Sequence, residues 1–461
     1  MIYFIALVIV YFLHVLLKLN WVSTLVLTIF SFLVLPMHRK RYEKAKENHK
    51  KFLAVSLYLD TILYSFVKEE KVELAIRDVS QTLPDGRMKE LAMQALEFMT
   101  MTFDEVEVLE EALRIIEKEY PCQRIKDVHK FMTHVEYYGG EIEKPINLLL
   151  ADKSRWEKRI QTAIAQRKKQ LTDIILSVVA SLVICGAIVY LPIMEMDISG
   201  ETIVQILAVF VVIANDFVIL KAQKMATADW ISVQLTEDDD YFVKKMEDFM
   251  TYDEKKEKRL SMLLGMIGSV LSLILFIWGK EWLVVISLML TLLFMNQHKV
   301  GRMLMKRTLI REIKYAFPNW LLDLVLLLQS ENVHIALQKS REHVPGVLRK
   351  ELYLLTENLK MQPESSAPYH SFLREFAIPE VNSAMGILYS LSIGNSANAD
   401  KQIGELVEKN LELLDVTEGE LLKNASSGMY VLFLTPVLVA SFKLVFDMMI
   451  FMLKFVQIPV M

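Results

Sequence analysis

Residues 2–41 read IYFIALVIVYFLHVLLKLNWVSTLVLTIFSFLVLPMHRKR, two apolar blocks followed by a basic cluster. Only three residues, starting at Lys18, separate the block at 2–17 from the block at 21–35. Each block is near the lower length limit for a helix that crosses a bilayer. No basic residue precedes Lys18 and no cleavage-like site of small residues follows, so we expect a retained transmembrane hairpin rather than a signal peptide.

The same alternation of apolar blocks and polar stretches continues along the 461 residues. Hydrophobic residues make up 53% and charged residues 23%, and the two kinds are segregated rather than mixed. This pattern is typical of membrane spans that alternate with polar domains. Beyond the first hairpin, the predicted spans cover about 172–193, 203–220, 261–278, 282–295 and 429–453.

The placement of basic residues predicts the orientation of the chain in the membrane. Lys and Arg cluster at 38–51 and again at 299–314, directly after two of the hairpins, whereas the short loop at 194–202 contains acidic residues and no Lys or Arg. Basic residues beside spans mark the cytoplasmic side. We therefore expect about seven spans, with the N-terminus cytoplasmic and the C-terminus outside.

The resulting fold class is all-α: a polytopic helical membrane protein with two repeated cytoplasmic helical-bundle domains. A helix over Lys153–Gln170 should run into the third span, because no Gly or Pro interrupts it. The predicted segments are a transmembrane hairpin (1–37), a first cytoplasmic helical domain (38–171), a transmembrane hairpin (172–220), a cytoplasmic linker (221–260), a transmembrane hairpin (261–297), a second cytoplasmic helical domain (298–428) and a final transmembrane helix (429–455).

The two polar domains share a motif. The sequence VELAI at 72–76 and the sequence VHIAL at 333–337 are 261 positions apart, and KEL recurs at 89–91 and 350–352 with the same separation. The Val and Ala lie on one helix face, and the Pro that follows ends that helix. The predicted repeat core is Val72, Ala75 and Pro84 in the first copy, and Val333, Ala336 and Pro345 in the second.

A hairpin, a helical cytoplasmic domain and a following span, each occurring twice, resemble the type II secretion system protein F superfamily, in particular the platform proteins of tight-adherence (Tad/Flp) pili. The helix starts at 70–76 and 331–337 and the glycine turns at 138–142 and 393–397 carry the resemblance. The glycine that usually precedes the first helix start is replaced by Glu70 or Asn332.

This resemblance implies a non-enzymatic platform protein in the bacterial inner membrane, in a type II secretion, type IV pilus or Tad pilus machine. It would couple a cytoplasmic hexameric secretion ATPase to the extraction of pilin or pseudopilin subunits and to filament assembly. The other partners implied are the lipid bilayer and a homologous platform protein or a second copy of the chain, but not nucleic acid. A secondary transporter with internal repeats is the alternative from another class of protein.

Few residues carry chemistry on the sequence alone. The motifs HExxH, GxSxG and GxxxxGK[ST] do not occur, so we expect no catalytic, cofactor-binding or metal-binding residues. We expect His129 and His134, five positions apart, to lie on the surface. Two cysteines in unrelated surroundings predict neither a disulfide framework nor a metal cluster.

Ionisable residues inside an apolar block are the remaining candidates. Lys443 and Asp447 lie four apart in the last span, where they could pair across one helical turn or contact another subunit or a substrate helix. Asn215 and Asp216 are expected at the membrane interface. The acidic run at 237–240 predicts a solvated loop, or alternatively a docking surface for a basic partner.

Overall fold

The computed structural model describes residues 2–101, 105–139, 142–190, 198–231, 239–277, 281–328, 331–394 and 399–457. Within these ranges all regular elements are helical, so the all-α prediction is confirmed for this part of the chain. The α-helices, in chain order, are α1 (Ile2–Leu16), α2 (Trp21–Glu69), α3 (Val72–Thr82), α4 (Arg87–Met101), α5 (Glu105–Glu119), α6 (Gln123–Tyr138), α7 (Glu143–Tyr190), α8 (Thr202–Ala226), α9 (Asp239–Met250), α10 (Glu254–Ile277), α11 (Glu281–Leu327), α12 (Val333–Lys339), α13 (Gly346–Met361), α14 (Ala367–Ser371), α15 (Pro379–Ile393) and α16 (Ala399–Gln457).

Five of these helices contain a stretch long and apolar enough to cross a membrane, namely α2, α7, α8, α10 and α16. A shorter apolar helix, Tyr3–Leu16, precedes them. The chain is therefore a helical membrane protein. The predicted span at 282–295 lies within α11, whose side chains are described only in part.

The connection between α1 and α2 is a tight turn. Lys18 has a left-handed backbone conformation with φ of 45°. Asn20 caps α2, because its side-chain oxygen accepts a hydrogen bond from the backbone N–H of Ser23 at 2.8 Å. Gln205 in α8 donates to the carbonyl of Lys18 at 2.9 Å and accepts from the N–H of Asn20 at 2.9 Å. The turn is thus held by its own cap and by a neighbouring helix.

Two long helices join apolar and polar segments without interruption. The 49-residue α2 runs from Trp21 through the basic cluster to Glu69, and Pro36 does not break it. The 48-residue α7 runs from Glu143 to Tyr190 and contains the whole of 153–170, so the predicted continuity into the apolar block is confirmed. Each helix therefore connects an apolar segment to a polar helical bundle as one continuous helix, although Pro36 donates no backbone hydrogen bond in α2.

The chain divides into two compact units. Unit 1 comprises 1–137, 149–233 and 419–461, and unit 2 comprises 138–148 and 234–418. In unit 1 the apolar parts of α1, α2, α7, α8 and α16 enclose a common core. Its buried members include Val10, Leu27, Cys185, Val211 and Ala440.

Unit 2 contains the closely packed hairpin of α10 and α11. A Cβ atom added to Gly265 would lie 2.5 Å from the side chain of Met295, and one added to Gly268 would lie 2.5 Å from that of Thr291. Further along the hairpin, the hydroxyls of Ser272 and Ser287 hydrogen bond at 2.8 Å. Small residues and a buried hydroxyl pair at a helix seam are typical of packing inside a membrane.

The segment predicted as a linker, 221–260, contains packed helix. Within it, α9 packs on α11 and α13 and buries Phe242, Met246 and Phe249. The described end of the acidic run, Asp239, is not in a loop but begins this helix. Its carboxylate accepts from the N–H of Gly346 at 2.7 Å and pairs with Arg349 at 3.2 Å. Residues 237 and 238 lie outside the described residues.

Helix boundaries recur at a nearly constant separation along the chain. α2 begins at Trp21 and α11 at Glu281, 260 positions later, and α3 begins at Val72 and α12 at Val333, 261 positions later. The buried positions of α2 and α11 follow the same separation. They are Asn48, Phe52, Val55, Ser56, Leu59 and Leu63 in α2, and Leu309, Ile313, Ala316, Phe317, Trp320 and Leu324 in α11.

Candidate functional site

The six residues of the predicted repeat core lie inside the helical units or in their connections. The apolar members are buried, with exposed fractions of 0–5% for Val72, Ala75, Val333 and Ala336. Pro84 lies in the connection between α3 and α4, and Pro345 immediately precedes the first residue of α13. These positions serve packing and chain reversal, and they present no group to a ligand.

Lys443 and Asp447 form an ion pair across one turn of α16. Each side chain is only 1% exposed, although both lie in an apolar segment. Ala440, one turn earlier, belongs to the buried core of unit 1, so this face of α16 points into the helix bundle. Among the described residues, Oδ1 of Asp447 has no hydrogen-bond partner, so one buried acceptor remains unused.

Further polar side chains connect the neighbouring apolar helices. The Asn215 amide in α8 donates to the hydroxyl of Ser181 in α7 at 2.9 Å, and Ser177 donates to the carbonyl of Phe433 in α16 at 2.8 Å. Asn215 is 1% exposed, and its position at the membrane interface stays a prediction, because burial between helices does not fix the depth of a residue in the membrane. Helix α8 turns this residue toward α7, where a hydroxyl is available in place of water. Oδ1 of Asn215 has no partner in the described part of the chain.

From Asp216 toward the C-terminal end of α8, polar contacts join this helix to the basic segment of α2. His38 contacts Asp216 at 3.1 Å through Nε2 and Gln223 at 2.8 Å through Nδ1. The hydrogen bond to Asp216 raises the pKa of His38 above its usual value, although burial opposes this effect. Arg41 donates to the carbonyl of Leu220 at 2.6 Å. His38 and Arg41 of the basic cluster therefore hold α2 against α8.

The two long helices α2 and α7 are joined by a buried clamp on the polar side. Lys153 in α7 contacts Asp60 in α2 and Glu157 in its own helix, each at 2.6 Å. Burial alone would lower the pKa of Lys153, but the two carboxylates raise it overall. The Trp156 ring meets Phe52 edge-on, with centroids 5.1 Å apart. Apolar and ionic contacts thus hold the helices together at one level.

Arg124 in α6 extends this clamp to a third helix. Its guanidinium lies 5.2 Å from the Trp156 ring, and its Nε is 2.7 Å from the carboxylate of Asp152. Asp152 is 3% exposed, which makes the pair largely desolvated. Removing either charge alone would leave the other buried without compensation, a change that typically costs several kcal/mol.

The prediction that His129 lies on the surface is wrong. His129 is 2% exposed and connects Tyr58 in α2, at 2.7 Å, to Glu117 in α5, at 2.8 Å. Burial would raise the pKa of Glu117, but the hydrogen bond and charge of His129 lower it overall, with smaller contributions from nearby basic residues. Tyr58 precedes His129 by 71 positions, so no local spacing reveals the contact.

Metal binding receives no support from the described ranges, in which no group of three His, Cys, Asp or Glu side chains is placed to hold an ion. Comparison with known proteins finds no matching family model, no matching curated protein and no matching solved structure.

Proposed function

We propose that this chain is an inner-membrane platform protein of a type II secretion, type IV pilus or Tad pilus machine. In this role it couples a cytoplasmic hexameric ATPase to pilin extraction and filament assembly. The resemblance in layout to the protein F superfamily suggests the role. The observation that carries it is mechanical: α2 and α7 each run unbroken from an apolar segment into a polar bundle, where Lys153 and Trp156 join them.

A transmitting element must resist bending between the point where force enters and the point where it acts. The helix α7 meets this need between Lys153 and its apolar segment, because no proline interrupts the backbone hydrogen bonds there. In the clamp, Trp156 lies 16 positions before Thr172, about 24 Å along α7 from the start of the predicted third span. Movement of the polar bundle would therefore tilt or rotate the span rather than dissipate in a flexible joint.

The proposed platform has seven spans and two repeated cytoplasmic bundles. The recurrence of helix starts and of buried positions about 261 residues apart supports the repeat. A pair of helix contacts supports it too: Thr417 in α16, 261 positions after Trp156, contacts α11 through the carbonyl of Lys314 at 3.2 Å, and Trp156 in α7 contacts α2 through Phe52. Equivalent helix crossings in the two copies would account for this recurrence.

Cysteine labelling tests the orientation. In a chain whose two native cysteines are replaced by alanine, Lys40→Cys and Val300→Cys should react with a membrane-impermeant maleimide only after the membrane is opened. Labelling of either position in intact cells would defeat the proposed topology.

Co-purification with the ATPase tests the coupling. The full chain should retain the secretion ATPase encoded in the same genome, and deletion of its gene should abolish filaments. Lys153→Ala should abolish filaments without removing the protein from the membrane, whereas Lys158→Ala, an exposed position on the same helix, should have little effect. Normal filaments in the Lys153→Ala strain would contradict transmission through the clamp.

The buried polar groups of the bundle favour a secondary transporter as the second candidate. Lys443, Asp447 and Asn215 are each 1% exposed within apolar helices. A double substitution distinguishes the two roles. A platform protein should still assemble filaments when Lys443→Met is combined with Asp447→Leu, because a buried ion pair is often replaceable by apolar side chains. A transporter should lose solute uptake in that variant. Substrate-dependent uptake by the wild-type chain reconstituted in vesicles would establish the transporter role.

A further inference from the structure

A basic cavity of about 480 Å³ lies in unit 2, beside the hairpin of α10 and α11. Its wall contains one face of α11, the end of α9 with the connection after it, and the short 3₁₀ helix Arg374–Phe376. The lining residues are Phe249, Tyr252, Lys299, Arg302, Met303, Lys306 and Glu375. The volume is within the usual range for small-ligand sites.

The charges of the cavity favour an anion. Lys299, Arg302 and Lys306 follow one another at helical spacing on one face of α11, and Glu375 is the one carboxylate among the lining residues. Three cationic groups and one carboxylate leave a net charge of +2 from these side chains. Glu375 would repel an anion that bound close to it, so the favourable position is along the face of α11.

Aromatic rings hold the central cation of this face in place. The guanidinium of Arg302 lies 5.0 Å from the ring of Tyr252 and 5.7 Å from that of Phe249. Phe249 is 4% exposed and stacks on Phe376 at 5.2 Å, so the wall itself is anchored in the unit. A guanidinium positioned by stacking loses little additional freedom when it binds an oxyanion, and its planar donors suit phosphate.

The distance of the cavity from the apolar part of the hairpin indicates which kind of molecule carries the anion. Met295 packs on Gly265 inside the hairpin, and Lys299 and Arg302 follow it by about 6 and 10 Å along the helix. With the predicted span ending at Met295, Lys299 falls within the layer of lipid headgroups, which extends about 5–8 Å beyond each side of the hydrocarbon core. Arg302 begins just beyond this layer, within reach of its long side chain. Met289 and Leu292, one to two turns before Met295, are exposed by 67% and 62% and continue the apolar surface toward the bilayer.

We propose that this cavity binds the phosphate-bearing headgroup of an anionic phospholipid, whose acyl chains lie along the exposed apolar residues of α11. Topology alone requires only that basic residues lie near the end of a span. It does not require an open basic cavity with an arginine beside two aromatic rings. The site is independent of the platform role and would serve to fix the hairpin of unit 2 at one depth in the membrane.

Native mass spectrometry of the purified full chain tests the site. Titration with phosphatidylglycerol or cardiolipin should show one lipid bound more tightly than the rest, and phosphatidylcholine should not reproduce it. Each basic side chain near an anionic lipid contributes about a fivefold change in affinity, so Lys299→Gln with Lys306→Gln should weaken this binding about thirtyfold. The matched control, Arg307→Gln with Arg311→Gln, removes the same charge from exposed positions of α11 outside the cavity and should change it less than about twofold.

Three results would overturn the assignment. Equal weakening in the two double variants would reduce the effect to general surface charge. Equal affinity for phosphatidylcholine would remove the role of the net negative headgroup. Displacement of the tight lipid by inorganic phosphate at the same concentration would assign the cavity to a soluble phosphate. Arg302→Lys keeps the charge but loses the flat guanidinium, so it should weaken the lipid complex severalfold while the protein keeps its elution volume and helix content.

Discussion

A proline at position 167 should disconnect the polar bundle of unit 1 from its membrane segment. Arg167 lies in α7 between the clamp at Lys153 and the predicted span, and it is 5% exposed. Its guanidinium is 4.7 Å from the Trp230 ring and donates to the carbonyl of Met225 at 3.3 Å. The position therefore combines an interior helical backbone with side-chain contacts to the last turn of α8 and to the segment that follows it.

The cost has two parts that different substitutions separate. Proline in a helix interior removes one backbone hydrogen bond and clashes with the preceding turn, at about 3 kcal/mol. Loss of the guanidinium contacts adds about 1–2 kcal/mol. Arg167→Ala loses only the second part, and Arg167→Gly adds about 1 kcal/mol of helix propensity to it. The series Ala, Gly, Pro thus increases the backbone disturbance while the side-chain loss stays constant.

Membrane fractionation, thermal unfolding of the purified chain and counts of assembled filaments measure the outcome. We expect all three variants in the membrane, with filament assembly close to normal for Ala, reduced for Gly and absent for Pro. A Pro variant that is inserted, stable and fully active would refute rigid coupling through α7. Equal loss in the Ala variant would instead assign the effect to the Arg167 contacts.

A buried hydrogen bond, a partly buried carboxylate and a closely packed hairpin each contribute to the fold. Tyr58→Phe should leave Nε2 of the buried His129 without a hydrogen bond and lower the free energy of unfolding by about 1–3 kcal/mol. The control Tyr64→Phe, at a position that is 60% exposed, should leave the melting curve unchanged. The pKa of Glu117 is lower in the folded state than in the unfolded chain. Its stabilising contribution is therefore present at neutral pH and is lost as the pH falls through the folded pKa. In Glu117→Gln, the free energy of unfolding measured in urea should depend less on pH in this range. Gly268→Val places a Cβ 2.5 Å from the facing helix and should disrupt the α10–α11 hairpin, as seen by loss of cysteine cross-linking across it, while Gly301→Ala, with nothing within 4 Å, should preserve the cross-link.

Some polar contacts could be anticipated from spacing alone. Lys443 and Asp447 are four apart in an apolar segment, a spacing that predicts the pair seen in α16. The spacing does not say which way this face of the helix points. That depends on Ala440 and the core it joins, which is assembled from helices hundreds of positions apart. Burial of the pair, and the unused oxygen of Asp447, are therefore properties of the assembled bundle.

The sequence by itself determined the helical class, the hairpin at the start, the continuity of α7 and the membrane character, because each follows from local composition, helix breakers and apolar blocks. Only the tertiary structure decided that His129 is buried, that the acidic segment at 239–250 packs as a helix, and that Glu375 lies in the same cavity as Lys299. The physical reason is that a polar side chain is buried only when a partner replaces water. Those partners lie far away in the sequence, so the local pattern of apolar and polar residues does not predict them.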